Sequence, residues 1–542
     1  MGNLFSFTTK IPAWLITGVL FGLSWPNYPV ETGWLAWFAL VPLLLRVRRV
    51  GSFREHVRVT LPAFLLLPPL VCWWLSYFSP WAVPVIWVSQ VPFLWLPVAL
   101  FYPLQKHLGW RQALLLLPLL WTVWEWAWLY LSDVNMAVGN PAYTQARLLF
   151  LNQFVDLTGQ WGLLCWVLGM NVLIARLCDA SATWSRTKQV GRLALGVGGW
   201  LAAPVLYSAV VLNVPALVVD RKATPVRVGL VQTNEDSYAA HTDSSDTAVL
   251  QRLVRLSIKA VSTTPGRTPG RPDMVIAPEG AFPLPLMHDS ILFAGLRQYV
   301  QYWNVPFATG LMTPIDSTHF YNEAFVFTPE LSRVYEPLHL TPADLKVYRK
   351  QHIMVFAEDT PWLLRWANRW IRGGKPAVTV GDQPYAFRFA DQQKNPRTVA
   401  MSICWEQLYP NTIAALTREG PADLLAFIMN DGWFYDSPGP GMLLTFTQLR
   451  AIENRRSVAR CSNQGYSGYV DPFGRVVSVL PRRQEAVGHI LVQTNTRLTF
   501  FTRHPNWFPI TCGLVLAGWL MLWNRAAKKS QQPLVRKKLV TS

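Results

Sequence analysis

Apolar stretches of membrane-crossing length recur along the N-terminal part of the chain, separated by short polar or basic ones. A helix needs about 20 apolar residues, rising 1.5 Å each, to cross roughly 30 Å of hydrocarbon. Runs at about 11–29, 32–46, 59–79, 82–104, 112–131, 160–178, 193–214 and 505–524 predict about eight transmembrane helices. The second is short, which implies tilt or a locally thinned bilayer. Val59 to Gln105 carries no charge over 47 residues, room for two crossings, with Ser79-Pro80-Trp81 marking the turn. Lys10 precedes the first run, and no small-residue cleavage site follows, so the run reads as an uncleaved span.

The period changes after Asp220. Short β-type runs appear at Val226–Val231, Met274–Ala277, Pro306–Thr309, Glu323–Phe327, Val399–Ile403 and Leu424–Met429. Helical patterns at Thr247–Ser262 and Ser290–Tyr302 lie between some of them. Strands alternating with helices predict an α/β domain. Pro and Gly predict loops at Thr263–Gly270 and at Tyr435–Gly441. The organisation read from this is a transmembrane domain of about seven helices at 1–219, an α/β domain at 220–504, a last span at 505–524 and a basic tail at 525–542.

Composition agrees with a membrane protein. Hydrophobic residues make up 51% and charged ones 15%, against the usual quarter. The net charge of +18 does not imply nucleic acid, because many basic residues sit in short runs between apolar segments. Arg46, Arg48, Arg49, Arg54 and Arg58 follow the second run, Lys106 and Arg111 the fourth, Arg176 to Arg192 the sixth, and Arg525 to Lys538 the last. The alternate connections hold only Arg147. This bias places both termini in the cytoplasm and the α/β segment on the outer face. Six cysteines show no metal-ligand spacing, and no structural disulfide is expected.

Candidate chemistry gathers at three strand ends. Thr398 to Ile403 runs into Cys404-Trp405-Glu406, a thiol lifted from a β-run toward a cleft. Met274 to Ala277 stops at Pro278-Glu279-Gly280. Tyr348-Arg349-Lys350 is followed by Glu358. Acyl transfer calls for these types: a carboxylate in a dry pocket to take the thiol proton, and a cation or N–H donor for the oxyanion. Glu279, Lys350 and the Trp405 N–H fit those needs. Each alone also reads as a turn residue, a solvated charge or a core cysteine.

Together the three stretches resemble the triad of the nitrilase superfamily. With Val231-Gln232-Thr233-Asn234, Asn430-Asp431-Gly432-Trp433-Phe434, Arg450 to Arg456 and Asn463 to Gly468, they resemble its membrane-bound branch, the apolipoprotein N-acyltransferases. The resemblance implies an α-β-β-α sandwich on a polytopic bundle, with Cys404 as nucleophile, Glu279 as proton acceptor and Lys350 as oxyanion stabiliser. It implies a phospholipid acyl donor, diacylated prolipoproteins as acceptors, a bacterial inner membrane with the catalytic domain in the periplasm, and no metal or diffusible cofactor. Val355 and Ala357 depart from the Pro and Gly that relatives often carry before Glu358.

Glu358 is expected to position Lys350 or the incoming amine, and Glu406 to hold Lys350 or the thiolate, with a strand-end surface charge as its alternative. Asn234, Trp433 and Phe434 are candidate substrate contacts, with packing equally open for Trp433 and Phe434. Arg450, Glu453, Arg455 and Arg456 read as an ion-paired support surface. Glu125, inside a span, reads as a buried polar contact that fixes helix packing, with a functional role as its alternative. Two other functions stay open: a membrane-tethered nitrilase-like amidase or hydrolase that uses water, and a catalytically silent membrane transfer component.

Overall fold

The computed structural model describes residues 11–26, 30–77, 82–180, 185–220, 223–238, 243–262, 270–282, 290–334 and 346–540. The expected turn at Ser79-Pro80-Trp81 and residues 263–269 of the loop expected at Thr263–Gly270 lie outside them. Helices α1 (Ala13–Leu23), α2 (Val41–Val47), α3 (Phe53–Val71), α4 (Ala82–Leu108), α5 (Trp110–Leu131), α6 (Val155–Ala180) and α7 (Arg186–Asn213) form an N-terminal bundle.

Among the described residues four helical stretches are long and apolar enough to cross a membrane: Trp110–Leu131, Asn152–Asp179, Thr187–Asn213 and Trp507–Ala526. Of the eight expected runs, the first two differ from a full-length helix over the described residues. The first run forms only the 11-residue α1, and the second is broken into a 3-10 turn (Gly33–Trp37) and the seven-residue α2. Backbone freed by such a break must find partners inside the protein. Asn171 of α6 supplies them, accepting from the Leu40 N–H at 2.9 Å and donating to the Ala36 carbonyl at 2.7 Å. A buried amide from a neighbouring helix thus replaces helical hydrogen bonds, which an apolar count cannot register. Glu125 is buried in α5, where the Trp121 indole donates to it at 2.7 Å.

The α/β part begins with β1 (Val226–Gln232), α8 (Asp243–Val261), β2 (Met274–Ile276), α9 (Ser290–Trp303), β3 (Phe307–Pro314) and β4 (His319–Phe327). Then come α10 (Pro329–Val334), β5 (Val347–Arg349), α11 (Asn368–Arg372), β6 (Ala377–Val378), β7 (Ala386–Ala390) and β8 (Pro396–Ile403). α12 (Pro410–Arg418), β9 (Leu424–Met429), α13 (Gly439–Asn454), β10 (Val458–Ser462), β11 (Gly468–Val470), β12 (Val476–Val479) and β13 (Ala486–Val492) complete it. The chain leaves through α14 (Phe500–Arg503) and α15 (Trp507–Val540), which continues as helix past the expected boundary at 524. α13 starts at Gly439, so the second half of the loop expected at Tyr435–Gly441 is helix, with Pro in its first turn.

One sheet runs β13-β1-β2-β3-β4-β5, with β6 on β4; the other runs β12-β11-β10-β9-β8-β7. The centres are parallel, β1-β2-β3 in one and β8-β9-β10 in the other. Parallel centres are covered on both faces, which is why β9 is apolar and buried throughout. The two sheets share one core through residues such as Leu230, Ile276, Met401 and Phe427. α8 and α9 cover the first sheet through Leu253, Leu256, Leu296 and Val300. α12 and α13 cover the second and also pack on the bundle, with Phe446 against Tyr143 at a centroid distance of 4.0 Å. The result is an α-β-β-α sandwich seated on membrane helices.

Candidate active site

Three segments far apart along the chain carry the candidate residues. β2 is followed by Ala277-Pro278, and the tip turns through Gly280 at φ 60°. The tip lies so close to β3 that a Cβ on Gly310 would sit 2.8 Å from the Glu279 Cα. Only glycine at 310 admits it. Lys350 follows β5, its N–H donating to the Asn322 carbonyl of β4 at 2.9 Å. Cys404 follows β8 and opens a 3-10 turn to Leu408.

Cys404 holds φ 50°, a left-handed conformation that costs a side-chain-bearing residue about 1–3 kcal/mol. Such strain at a strand end is what lifts a nucleophile clear of its sheet. The Trp405 N–H follows it within the first turn, where helical N–H groups have no intrahelical acceptor. The Trp405 ring is buried in the core shared with the membrane bundle.

Lys350 Nζ lies 2.7 Å from Glu358 Oε1 and 3.5 Å from Glu279 Oε1, and all but about 1% of its side chain is hidden from solvent. Burial works against its charge, but the Glu358 and Glu279 carboxylates outweigh it and hold the ammonium well above the ordinary lysine value. The Cys404 thiol and the Glu279 carboxylate act on each other electrostatically, and Glu279 Oε2 is buried without a hydrogen-bond partner. Burial raises the Glu279 pKa, with Lys350 pulling it back. Burial, then the Glu279 charge, pushes the Cys404 thiol well up. The resting thiol therefore keeps its proton beside a carboxylate that is a stronger base than usual. This arrangement can generate a thiolate at the moment of attack and carry an oxyanion beside a fixed ammonium.

The flanking residues divide into several kinds. Glu358 joins the cluster, its Oε2 fixed by the Met354 N–H at 2.6 Å. Glu406 is fully buried, which rules out a surface charge. It holds backbone rather than the lysine ammonium: Oε1 accepts from the Gln351 N–H and the Tyr348 hydroxyl, each at 2.6 Å, and Oε2 from the Ile403 N–H at 2.8 Å. It thereby ties the lysine segment to the cysteine turn, and burial pushes it up to about 7. Asn234, at φ 56°, lies two residues past β1 and donates its N–H to the Asn463 carbonyl at 3.2 Å. Trp433 packs edge-on against Tyr238 at 5.0 Å. Phe434 is buried against Trp74 of the bundle at 4.8 Å, so packing accounts for it.

Asn322 escaped the sequence reading. From β4 its Nδ2 reaches Glu279 Oε1 at 2.8 Å and Glu358 Oε1 at 3.5 Å, bridging the two carboxylates. The available signal is an Asn beside Glu323 inside a strand rich in aromatic residues, both types depleted there. Arg450, Glu453, Arg455 and Arg456 are corrected from a surface to a buried seam. Arg450 reaches Gln160 Oε1 at 2.9 Å and Glu453 Oε2 at 2.8 Å, while Arg455 holds Asp156 at 2.8 Å. Cys461, in β10, is a free thiol facing the Val231 carbonyl at 3.2 Å.

Two family descriptions match consecutive parts of the chain: apolipoprotein N-acyltransferase N-terminal domain over residues 17–173, and carbon-nitrogen hydrolase over 227–497. An apolipoprotein N-acyltransferase of Chlorobaculum tepidum is 31% identical over 94% of this chain and 95% of its own. The chain belongs to the apolipoprotein N-acyltransferase family. It is therefore an acyltransferase built on a carbon-nitrogen hydrolase domain. A Geobacter metallireducens relative of the same name is 26% identical over 92% of both chains. An amidase from the nitrilase superfamily of Nesterenkonia AN1 is 17% identical over 53% of this chain and 99% of its own, with a TM-score of 0.35.

Proposed function

We propose that this member of the family N-acylates lipoproteins in two half-reactions at Cys404. In the first, Glu279 accepts the thiol proton and the sulfur attacks an ester carbonyl of a membrane phospholipid. Lys350 and the Trp405 N–H stabilise the oxyanion. The C–O bond breaks, the departing alkoxide takes the proton back from Glu279, and a lysophospholipid leaves an acyl thioester on Cys404. In the second, the α-amine of an N-terminal S-diacylglyceryl-cysteine attacks the thioester and gives its proton to Glu279. The C–S bond breaks, the amide is released and the thiolate is reprotonated. These groups complete the exchange without a metal or diffusible cofactor.

The observation that carries this reading is the Glu279–Lys350–Glu358 cluster, with Glu279 and Lys350 buried, together with a strained Cys404, in a domain seated on membrane helices. A donor and an acceptor that are both lipid-anchored suit a site held at the bilayer. The basic residues between the apolar runs favour an inner-membrane orientation with this domain in the periplasm. Incubation with phospholipid is expected to add a fatty-acyl mass to the Cys404 peptide, and Cys404→Ser to abolish the thioester. Free fatty acid without acylated lipopeptide would instead favour a hydrolase.

A further inference from the structure

Between α5, α6, α7 and α15 lies a cavity of about 770 Å³ whose lining includes none of the catalytic cluster. That volume is of the size that ligand sites occupy, roughly 300–1,000 Å³. Its walls are apolar, with Leu115, Trp166, Leu173, Trp200 and Phe508 among them. Leu115 is 38% exposed, so the cavity opens sideways toward lipid. Its charge is confined to one end, where Arg111 begins α5 and Arg176 and Asp179 close α6.

That end is the one remote from the α/β domain. The other end of α5 sets Tyr130 against Tyr409 at 6.4 Å, and the other end of α6 pairs Asp156 with Arg455 at 2.8 Å. At the remote end Asp179 pairs with Arg48 and, at 3.3 Å, with Arg111. Arg48 also lies 5.5 Å over the Trp110 ring. Three guanidiniums against one carboxylate leave two positive charges in excess, and the side chains of Arg48 and Arg111 are 52% and 70% exposed. An apolar slot along a helix, ending in surplus guanidinium charge, complements an anionic lipid: chains in the slot, phosphate at the mouth.

We propose that this groove holds one anionic phospholipid of the leaflet distal to the α/β domain, as a resident lipid rather than an acyl donor. Its distance from Cys404 along the bundle separates it from the reaction. The proposal does not depend on the chemistry assigned to that thiol.

The test is native mass spectrometry of the full-length protein, purified in mild detergent with equimolar phosphatidylglycerol and phosphatidylethanolamine. Wild type is expected to retain a single phosphatidylglycerol in preference. Arg111→Gln with Arg176→Gln is expected to reduce that retention at least about tenfold, and Leu115→Trp, which fills the slot, to reduce retention of either lipid. Equal retention of the two lipids, or retention indifferent to the arginine pair, would overturn the proposal. A photoactivatable phosphatidylglycerol on the unaltered protein provides a second readout that needs no variant to fold. Labelling is expected on α6 peptides; labelling elsewhere, or of a co-purifying polypeptide in the slot, also overturns it.

Discussion

Arg455 and Lys350 are both cations with almost no solvent contact, yet their surroundings differ in kind. Around Arg455 every donor is used. Nε and Nη2 hold Asp156 Oδ2 at 2.9 and 2.8 Å, Nη1 reaches Gln153 Oε1 at 2.6 Å, and Tyr207 donates to the remaining Asp156 oxygen at 2.8 Å. Around Lys350 the partners are left incomplete: Glu279 Oε2 and Asn322 Oδ1 are buried with no hydrogen bond. Buried polar groups are nearly always satisfied, and the open acceptors on Glu279 and Asn322 leave room there for a further donor. The first cluster joins the sandwich to the bundle. The second leaves acceptors open, as the proposed acyl exchange requires.

That contrast breaks most sharply at the nucleophile. Cys404→Ala is expected to lower N-acylation of a diacylated lipopeptide by more than about 10⁴-fold, the scale of losing a covalent nucleophile, with the thermal unfolding midpoint near wild type. Glu279→Gln comes next. Turnover should fall about 10²–10⁴-fold for loss of a general base, again with little change in folding. If that variant unfolds while turnover per folded molecule persists, the two clusters are not different in kind.

The satisfied cluster should respond the other way. Arg455→Met strands a buried carboxylate and is expected to destabilise the protein by about 3–5 kcal/mol, while kcat per folded molecule stays close to wild type. Adding Asp156→Asn should recover part of the loss. Denaturation in detergent measures the first effect and lipopeptide turnover the second.

Two carboxyls sharpen the comparison through pH. Burial raises both Glu406 and Glu453 from an ordinary 4.5 to about 7, with hydrogen bonds and, for Glu453, Arg450 opposing. The folded state therefore favours their protonated forms. Their stabilising contribution is whole below about pH 4.5 and is lost as pH climbs through about 7. The unfolding midpoint is expected to fall across that interval and level off above it; a rising midpoint would contradict the assignment. The smallest effect expected is from Tyr348→Phe. It removes one hydrogen bond to Glu406, costs about 1 kcal/mol and leaves turnover within a few-fold.

Local features were legible in the sequence because they are written locally. The strands ending at Ile276 and Ile403 appear as apolar runs stopped by Pro-Glu-Gly and Cys-Trp-Glu, and so did the order of the residues that now meet. What stayed hidden depends on distant partners. Arg455 looked like a surface charge because Gln153, which fixes it, lies 302 residues away. The second apolar run looked like a span because the amide that satisfies its break, Asn171, lies 131 residues from Leu40. Glu406 stays open in the sequence because the partners that bury it, Tyr348 and Gln351, lie 58 and 55 residues away.

Trp405, Leu408, Tyr409 and Phe434 belong to the same apolar mass as Trp74, Trp121 and Trp161. The floor beneath the thiol is therefore made partly of bilayer-embedded helices. A version severed at residue 220 would carry a raw hydrophobic underside in place of a foundation. It would aggregate rather than behave as a free-standing water-soluble enzyme.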